Sequence, residues 1–293
     1  MKPYLLLLLC CFGLSSFGQT APGPAYRADF VMEDVTFTSA GVTLAGTIFK
    51  PRHPYAAIVL VHGSGQETRM LKMASLLADS GIAVFTYDKR GVGKSGGVYA
   101  GPEVGTNNID SSNLNLLALD ASVASNILLA HLPAHHGPLG LMGFSQAGWI
   151  IPLAATKNHE VSFMILFSGP VITTLEQLRF QFYTRGNSRF WDTHTEAEAR
   201  EHIRNDPDRY QFAGTDPRDA LARLPIPGLW LFGGKDIQIP VHLSIEHLDA
   251  LKAQGKSYDY QLFPALGHNT AIPGSYEPVN VAVQWIKAFS GQH

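Results

Sequence analysis

Leu139-Gly140-Leu141-Met142-Gly143-Phe144-Ser145-Gln146-Ala147-Gly148-Trp149-Ile150-Ile151 decides how this chain folds. Its first four residues are an apolar run without alternation, the pattern of a strand buried on both faces. Its last five read as the start of an apolar helix. The chain must turn sharply between them, and Ser145 stands at the turn. Such a corner crowds the positions two before and two after the serine, and Gly143 and Ala147 are both small. The hydroxyl is then exposed above the strand end, beside a helix N-terminus that favours negative charge. The backbone N–H of Gln146 points into the same space, as a donor to an oxyanion. A purely structural serine is the competing reading, and the strand–turn–helix setting argues against it.

The same pattern repeats along the chain. Short apolar runs at 56–61, 82–87, 139–143, 161–167, 228–232 and 258–263 alternate with helical spacing at 70–80, 113–132, 147–156, 241–253 and 278–289. Alternation of this kind predicts an α/β fold with a mostly parallel central sheet flanked by helices. A hairpin precedes it over residues 35–49, turning at Ala40-Gly41. Gly81, Gly137 and Gly255 are expected to end helical stretches in left-handed caps. From about 171 to 224 the strand pattern lapses. Arg179, Phe180, Phe182, Tyr183, Arg185, Arg189, Phe190 and Trp191 crowd this stretch, which reads as a helical insert, a partial lid over the carboxyl edge of the sheet. A solvated helical excursion is the alternative.

The chain has 293 residues, a length at which one large α/β domain shares a core. Hydrophobic residues make up 45% and charged residues 16%, which argues against disorder. The net charge of −2 leaves no basic footprint for nucleic acid. Residues 1–18 have the layout of a signal peptide: Lys2, an apolar run from Tyr4 to Leu14, then Ser16 and Gly18 before a cut. The domain is therefore expected to span 19–293, exported to the periplasm or medium. The cut removes Cys10 and Cys11, so no disulfide is expected, and no later segment is expected to span a bilayer.

A reactive serine needs a base, and the base an orienting acid. Asp236, in Gly233-Gly234-Lys235-Asp236, follows the run at 228–232. His268, in Gly267-His268-Asn269, follows the run at 258–263. Both therefore emerge at strand carboxyl ends, on the edge that carries Ser145. A second oxyanion donor is expected in His62-Gly63-Ser64-Gly65, after the run at 56–61, with the Ser64 amide ahead of Gly65. His62 reads as a structural imidazole bonded to loop backbone.

Other groups compete less well. Gly91-Val92-Gly93-Lys94-Ser95-Gly96 fits a dinucleotide fingerprint, yet Gly97, Gly101 and Pro102 follow where a helix should begin, so a structural loop is expected. His131, His135 and His136 cluster around Pro133 with no carboxylate near in sequence, and no metal site is assigned. His194 and His202 read as solvated. Asp88 is expected to bond loop backbone, and Asp120 lies in a long helix. His242 and His247 sit in a helix rather than at a strand end.

From about residue 30 onward the chain resembles the α/β-hydrolase superfamily. Within it the likeness is to bacterial exported esterases and acyl hydrolases related to serine aminopeptidases and dienelactone hydrolases. The matching pieces are His62-Gly63-Ser64-Gly65, Tyr87-Asp88-Lys89-Arg90-Gly91-Val92-Gly93-Lys94-Ser95, Gly143-Phe144-Ser145-Gln146-Ala147-Gly148-Trp149, Phe232-Gly233-Gly234-Lys235-Asp236 and Gly267-His268. The order Ser…Asp…His is that of the α/β hydrolases. The usual pattern has Gly where Ala147 stands. The resemblance implies Ser145 as nucleophile, His268 as base and Asp236 as acid, in a serine hydrolase that needs no cofactor and cleaves small ester or related acyl substrates. A peptidase with the same triad, or a non-catalytic binding protein on this fold, would be the alternatives. A peptidase would need a charge site for a chain terminus, for which only Arg179, Arg185 and Arg189 are candidates. Trp149 and the insert aromatics are candidates for an apolar pocket or for packing.

Overall fold

The computed structural model describes residues 30–268, 270–271 and 276–291. The expected leader at 1–18, with both cysteines, lies outside the described residues. β1 (Phe30–Ser39) and β2 (Val42–Pro51) form the opening hairpin, turning through Ala40 and Gly41, both at positive φ. β3 (Ala56–Val61), β4 (Ile82–Tyr87), β5 (Leu139–Phe144), β6 (Val161–Phe167), β7 (Gly228–Gly233) and β8 (Tyr258–Phe263) follow. Among the described residues they form one eight-stranded sheet in the order β1-β2-β4-β3-β5-β6-β7-β8. Pairing is antiparallel from β1 through β2 to β4 and parallel beyond. Every residue of β3, β4 and β7 is buried, which is why these runs carry no polar alternation.

Helices cover both faces. α1 (Leu71–Asp79) and α8 (Glu277–Ser290) pack on one side, against Ile58, Leu60 and Phe163. α2 (Ser111–Ala130), α3 (Ala147–Lys157) and α7 (Val241–Ala253) pack on the other, against Val59, Leu141 and Trp230. This is the α/β architecture expected from the alternating runs. Between β6 and β7 lie α4 (Thr174–Thr184), α5 (Glu196–Asn205) and α6 (Pro217–Leu221). Phe180, Phe190, Ala199 and Ile203 give this stretch a small core of its own.

Two expectations need correction. Gly137 is left-handed but caps no helix: α2 ends at Ala130, and a Cβ on Gly137 would collide with the backbone of Tyr55 and Ala56. Close backbone approach, not helix termination, demands this glycine. By length and composition Ser111–Ala130 is also apolar enough to cross a membrane. Its apolar character has a packing cause, since Leu114, Ala118, Ala121, Ala124 and Leu128 are buried in the core.

Candidate active site

The parallel strands β3, β5, β7 and β8 end at one edge, and the chain departing from each contributes to a single cluster. Ser145, between β5 and α3, has φ of 51°, a left-handed conformation for a residue with a side chain. Its N–H donates to Phe167 O at 2.9 Å, and its carbonyl accepts from Gly148 N at 2.8 Å. The turn is thus held from both ends. The crowding read from the sequence is real: a Cβ on Gly143 would meet Ala147 Cβ, with Ile151 Cδ1 and Val61 O both at 2.9 Å.

His268 Nε2 lies 2.8 Å from Ser145 Oγ, and its Nδ1 lies 2.8 Å from Asp236 Oδ2. Asp236 is buried, and its other oxygen accepts the N–H groups of Gln238 at 2.7 Å and Ile239 at 3.0 Å. The carboxylate therefore cannot rotate away from the imidazole. The structure brings together the three side chains that the sequence singled out. Among the described residues no acceptor takes the N–H of Gln146 or of Ser64.

Three contributors escaped the sequence reading. Ser168, at φ of 49° after β6, donates its hydroxyl to His268 O and lies 3.2 Å from Thr270 Oγ1, which bonds Leu231 O at 3.1 Å. These contacts fix the loop carrying the imidazole. Trp191 of the insert donates its indole N–H to Asp236 O at 2.7 Å. Lys89 is buried behind the His62–Gly65 loop. The contact of Ser168 is long-range and has no local signature; Trp191 was named among the insert aromatics and Lys89 stood in a quoted run, but neither was given this role.

The competing residues are accounted for. Asp88 accepts the backbone N–H groups of Lys94 at 2.9 Å and Arg69 at 3.0 Å, so the glycine run 91–97 is a loop closed on itself. Asp120 pairs with Arg90 in the core. His62 is buried edge-on to Tyr87, with its backbone bond to Tyr87, and burial lowers its pKa to about 3, so it stays neutral. His131 does find a carboxylate, Glu33, at 3.1 Å, one distant in sequence. His202 stacks on Tyr183 at 3.7 Å and His194 on Phe190 at 4.3 Å, and both stay partly open to solvent, the His202 side chain 40% exposed. Trp149 is buried with its N–H on Ile172 O, and Phe180 and Phe190 fill the insert core, which settles these aromatics as packing.

The chain matches the family described as serine aminopeptidase, S33, over residues 52–218, more than half its length. The chain belongs to this family. No curated protein sequence matches it. Among solved structures it is similar to the Pyrococcus furiosus esterase Pf2001, at 16% identity over 89% of this chain and 91% of that one, with a TM-score of 0.59. It is similar to the dienelactone hydrolase of Anabaena variabilis, at 18% identity over 88% and 98%, TM-score 0.59. The uncomplexed Pyrococcus horikoshii acylaminoacyl peptidase matches at 19% identity over 90% of this chain and 41% of that chain, TM-score 0.63. At these identities the likeness is one of fold. The serine aminopeptidase family match and the α/β-hydrolase fold make this protein a hydrolase, for which a small-molecule substrate is implied.

Proposed function

We propose that the protein is a serine hydrolase that cleaves carboxylic esters, or closely related acyl bonds, through an acyl-enzyme. His268 Nε2 takes the Ser145 proton as Oγ attacks the substrate carbonyl carbon. Asp236 holds the ring in the tautomer that leaves Nε2 free, and stabilises the imidazolium. The carbonyl oxygen becomes negative and accepts from the Gln146 and Ser64 N–H groups. As the intermediate collapses, His268 gives its proton to the leaving alcohol. A water then attacks the acyl-serine with His268 again as base, releasing the acid and restoring Ser145.

The observation that carries this reading is the imidazole bridging Ser145 Oγ and Asp236 Oδ2, 2.8 Å on each side. Ester is favoured over peptide by Arg179 of the insert, a candidate for a terminus site that is instead committed to Asp208 at 2.7 Å and Ile203 O at 2.6 Å. The leader-like residues 1–18 support export as part of the same reading.

The test is hydrolysis of short-chain aryl esters, with aminoacyl anilides and thioesters in parallel. Ser145→Ala is expected to lower the rate at least ~10³-fold, and His268→Ala and Asp236→Asn to lower it severely, as removal of triad members does elsewhere. Retained activity in the serine variant would move the nucleophile. Anilides cleaved faster than esters would make the enzyme a peptidase with the same machinery.

A further inference from the structure

Lys89 directly follows Asp88 beyond the end of β4, in a run that the triad does not use. It is only 2% exposed. An ammonium has three N–H donors, and an isolated one in an apolar interior costs several kcal/mol. Here three acceptors meet it: Gly63 O at 2.6 Å, Gly65 O at 3.2 Å and Gln146 Oε1 at 3.1 Å. Burial still lowers its pKa to about 8. Such a group is retained against a cost, and its partners show what it does.

In a trans peptide the carbonyl oxygen and the next N–H point in opposite directions. By holding Gly63 O, Lys89 therefore turns the Ser64 N–H away from itself. Ser64 O is held in turn by Tyr99 Oη and Asn108 Nδ2, both at 2.9 Å, and the Gly63 N–H by Glu67 Oε2 at 3.0 Å. The same ammonium grips the side chain of Gln146, whose Nε2 donates to Asn108 O at 2.7 Å. One cation thus joins the loop that carries one proposed oxyanion donor to the residue that carries the other.

We propose that Lys89 is a positioning residue of the oxyanion hole: it fixes the direction and spacing of the Ser64 and Gln146 N–H groups and sets a positive charge behind the developing oxyanion. The inference rests on the serine-hydrolase reading above. The charged and titratable groups around it are Glu67, whose carboxyl burial pushes up, Glu103 on Tyr99 Oη, the neutral His62, and the Tyr99 ring 5.7 Å from Nζ.

The experiment compares Lys89→Met, Gln146→Met and Ser145→Ala on an aryl ester and with phenylboronic acid, which forms a tetrahedral anion on an active serine. Lys89→Met keeps the length and removes the charge and the donors. Its kcat is expected to fall by about 10² or more with KM within a few-fold, on the scale of a lost oxyanion donor. Boronate affinity should fall in step, because the boronate adduct carries the same negative charge. Gln146→Met cuts the tie from the other side and should lower kcat and boronate affinity together by about tenfold. A folded Lys89→Met enzyme with wild-type kcat and boronate affinity overturns the proposal, as does one with raised KM alone. If that variant does not fold, unchanged kcat and boronate affinity in Gln146→Met overturn it instead. Activity surviving Ser145→Ala strikes the serine-hydrolase reading itself.

Discussion

At Ser145 a residue with a side chain occupies a backbone region that costs roughly 1–2 kcal/mol. The turn is held there by bonds from both sides, Ser145 N to Phe167 O and Gly148 N to Ser145 O. The room for it comes from Gly143. A methyl at that position would strike Ala147 Cβ and Val61 O, and a backbone oxygen cannot step aside as a flexible side chain can. Ala147 itself is fully buried, so its methyl already fills the space that the commoner glycine would leave open. The two small positions are therefore unequal. Gly143→Ala is expected to cost about 1–3 kcal/mol of stability by overpacking and to lower kcat/KM by more than tenfold, because Ser145 is displaced. Ala147→Gly should keep kcat/KM within a few-fold while losing about 1 kcal/mol through weaker helix propensity. Urea unfolding and ester kinetics on both variants check this. Equal damage at the two sites would mean that the crowding is shared.

At the scale of elements, the runs at 56–61, 82–87 and 161–167 were legible because they are buried on both faces, and they form strands with those bounds, as does the partly exposed edge strand 258–263. The order of the strands was not, since nothing in a run of Val and Ile says which neighbour it meets. The three residues of the candidate triad were legible because each follows a strand that ends at the same edge. The insert was legible only as a break. Its helix starts were written in the sequence all the same: Thr173 with Glu176, and Thr195 with Glu198, each form a reciprocal cap. Contacts across the fold carry no such mark, and Ser168 under His268 O is one of them. Another is the pair of Arg90 and Asp120. It ties the loop after β4 to α2, and Arg90 also reaches Ser39 O at the end of β1. Arg90 and Asp120 are both buried, so removing the carboxylate strands a guanidinium in the core. Asp120→Ala is expected to destabilise by about 3–5 kcal/mol. At a temperature where the variant is folded, its kcat/KM should stay within a few-fold of wild type. A rate loss as large as that of Asp236→Asn, with stability intact, would make Asp120 part of the chemistry.

For the molecule as a whole, the cost of burying polar groups beneath one sheet edge should appear in how stability depends on pH. His62 is buried beside Lys89, and burial, with the lysine charge added, lowers its pKa from 6.5 to about 3. The unfolded chain takes a proton on this residue near 6.5. The folded chain refuses it until about 3. Over that window the unfolded state binds more protons, so stability rises with pH. The contribution is complete above 6.5 and is lost progressively as the solution is acidified toward 3. The slope from one such group is at most about 1.4 kcal/mol per pH unit. Depressed carboxylates such as Asp88 act in the same sense and would obscure a single curve. His62→Phe isolates the histidine, because a ring of similar size has nothing to titrate and the carboxylates are common to both proteins. Urea midpoints measured from pH 7 to 4 should converge: the variant begins less stable, having lost the bond to Tyr87, and falls less steeply. Parallel curves would mean that His62 gains its proton without unfolding, against the burial and the Lys89 charge that oppose it.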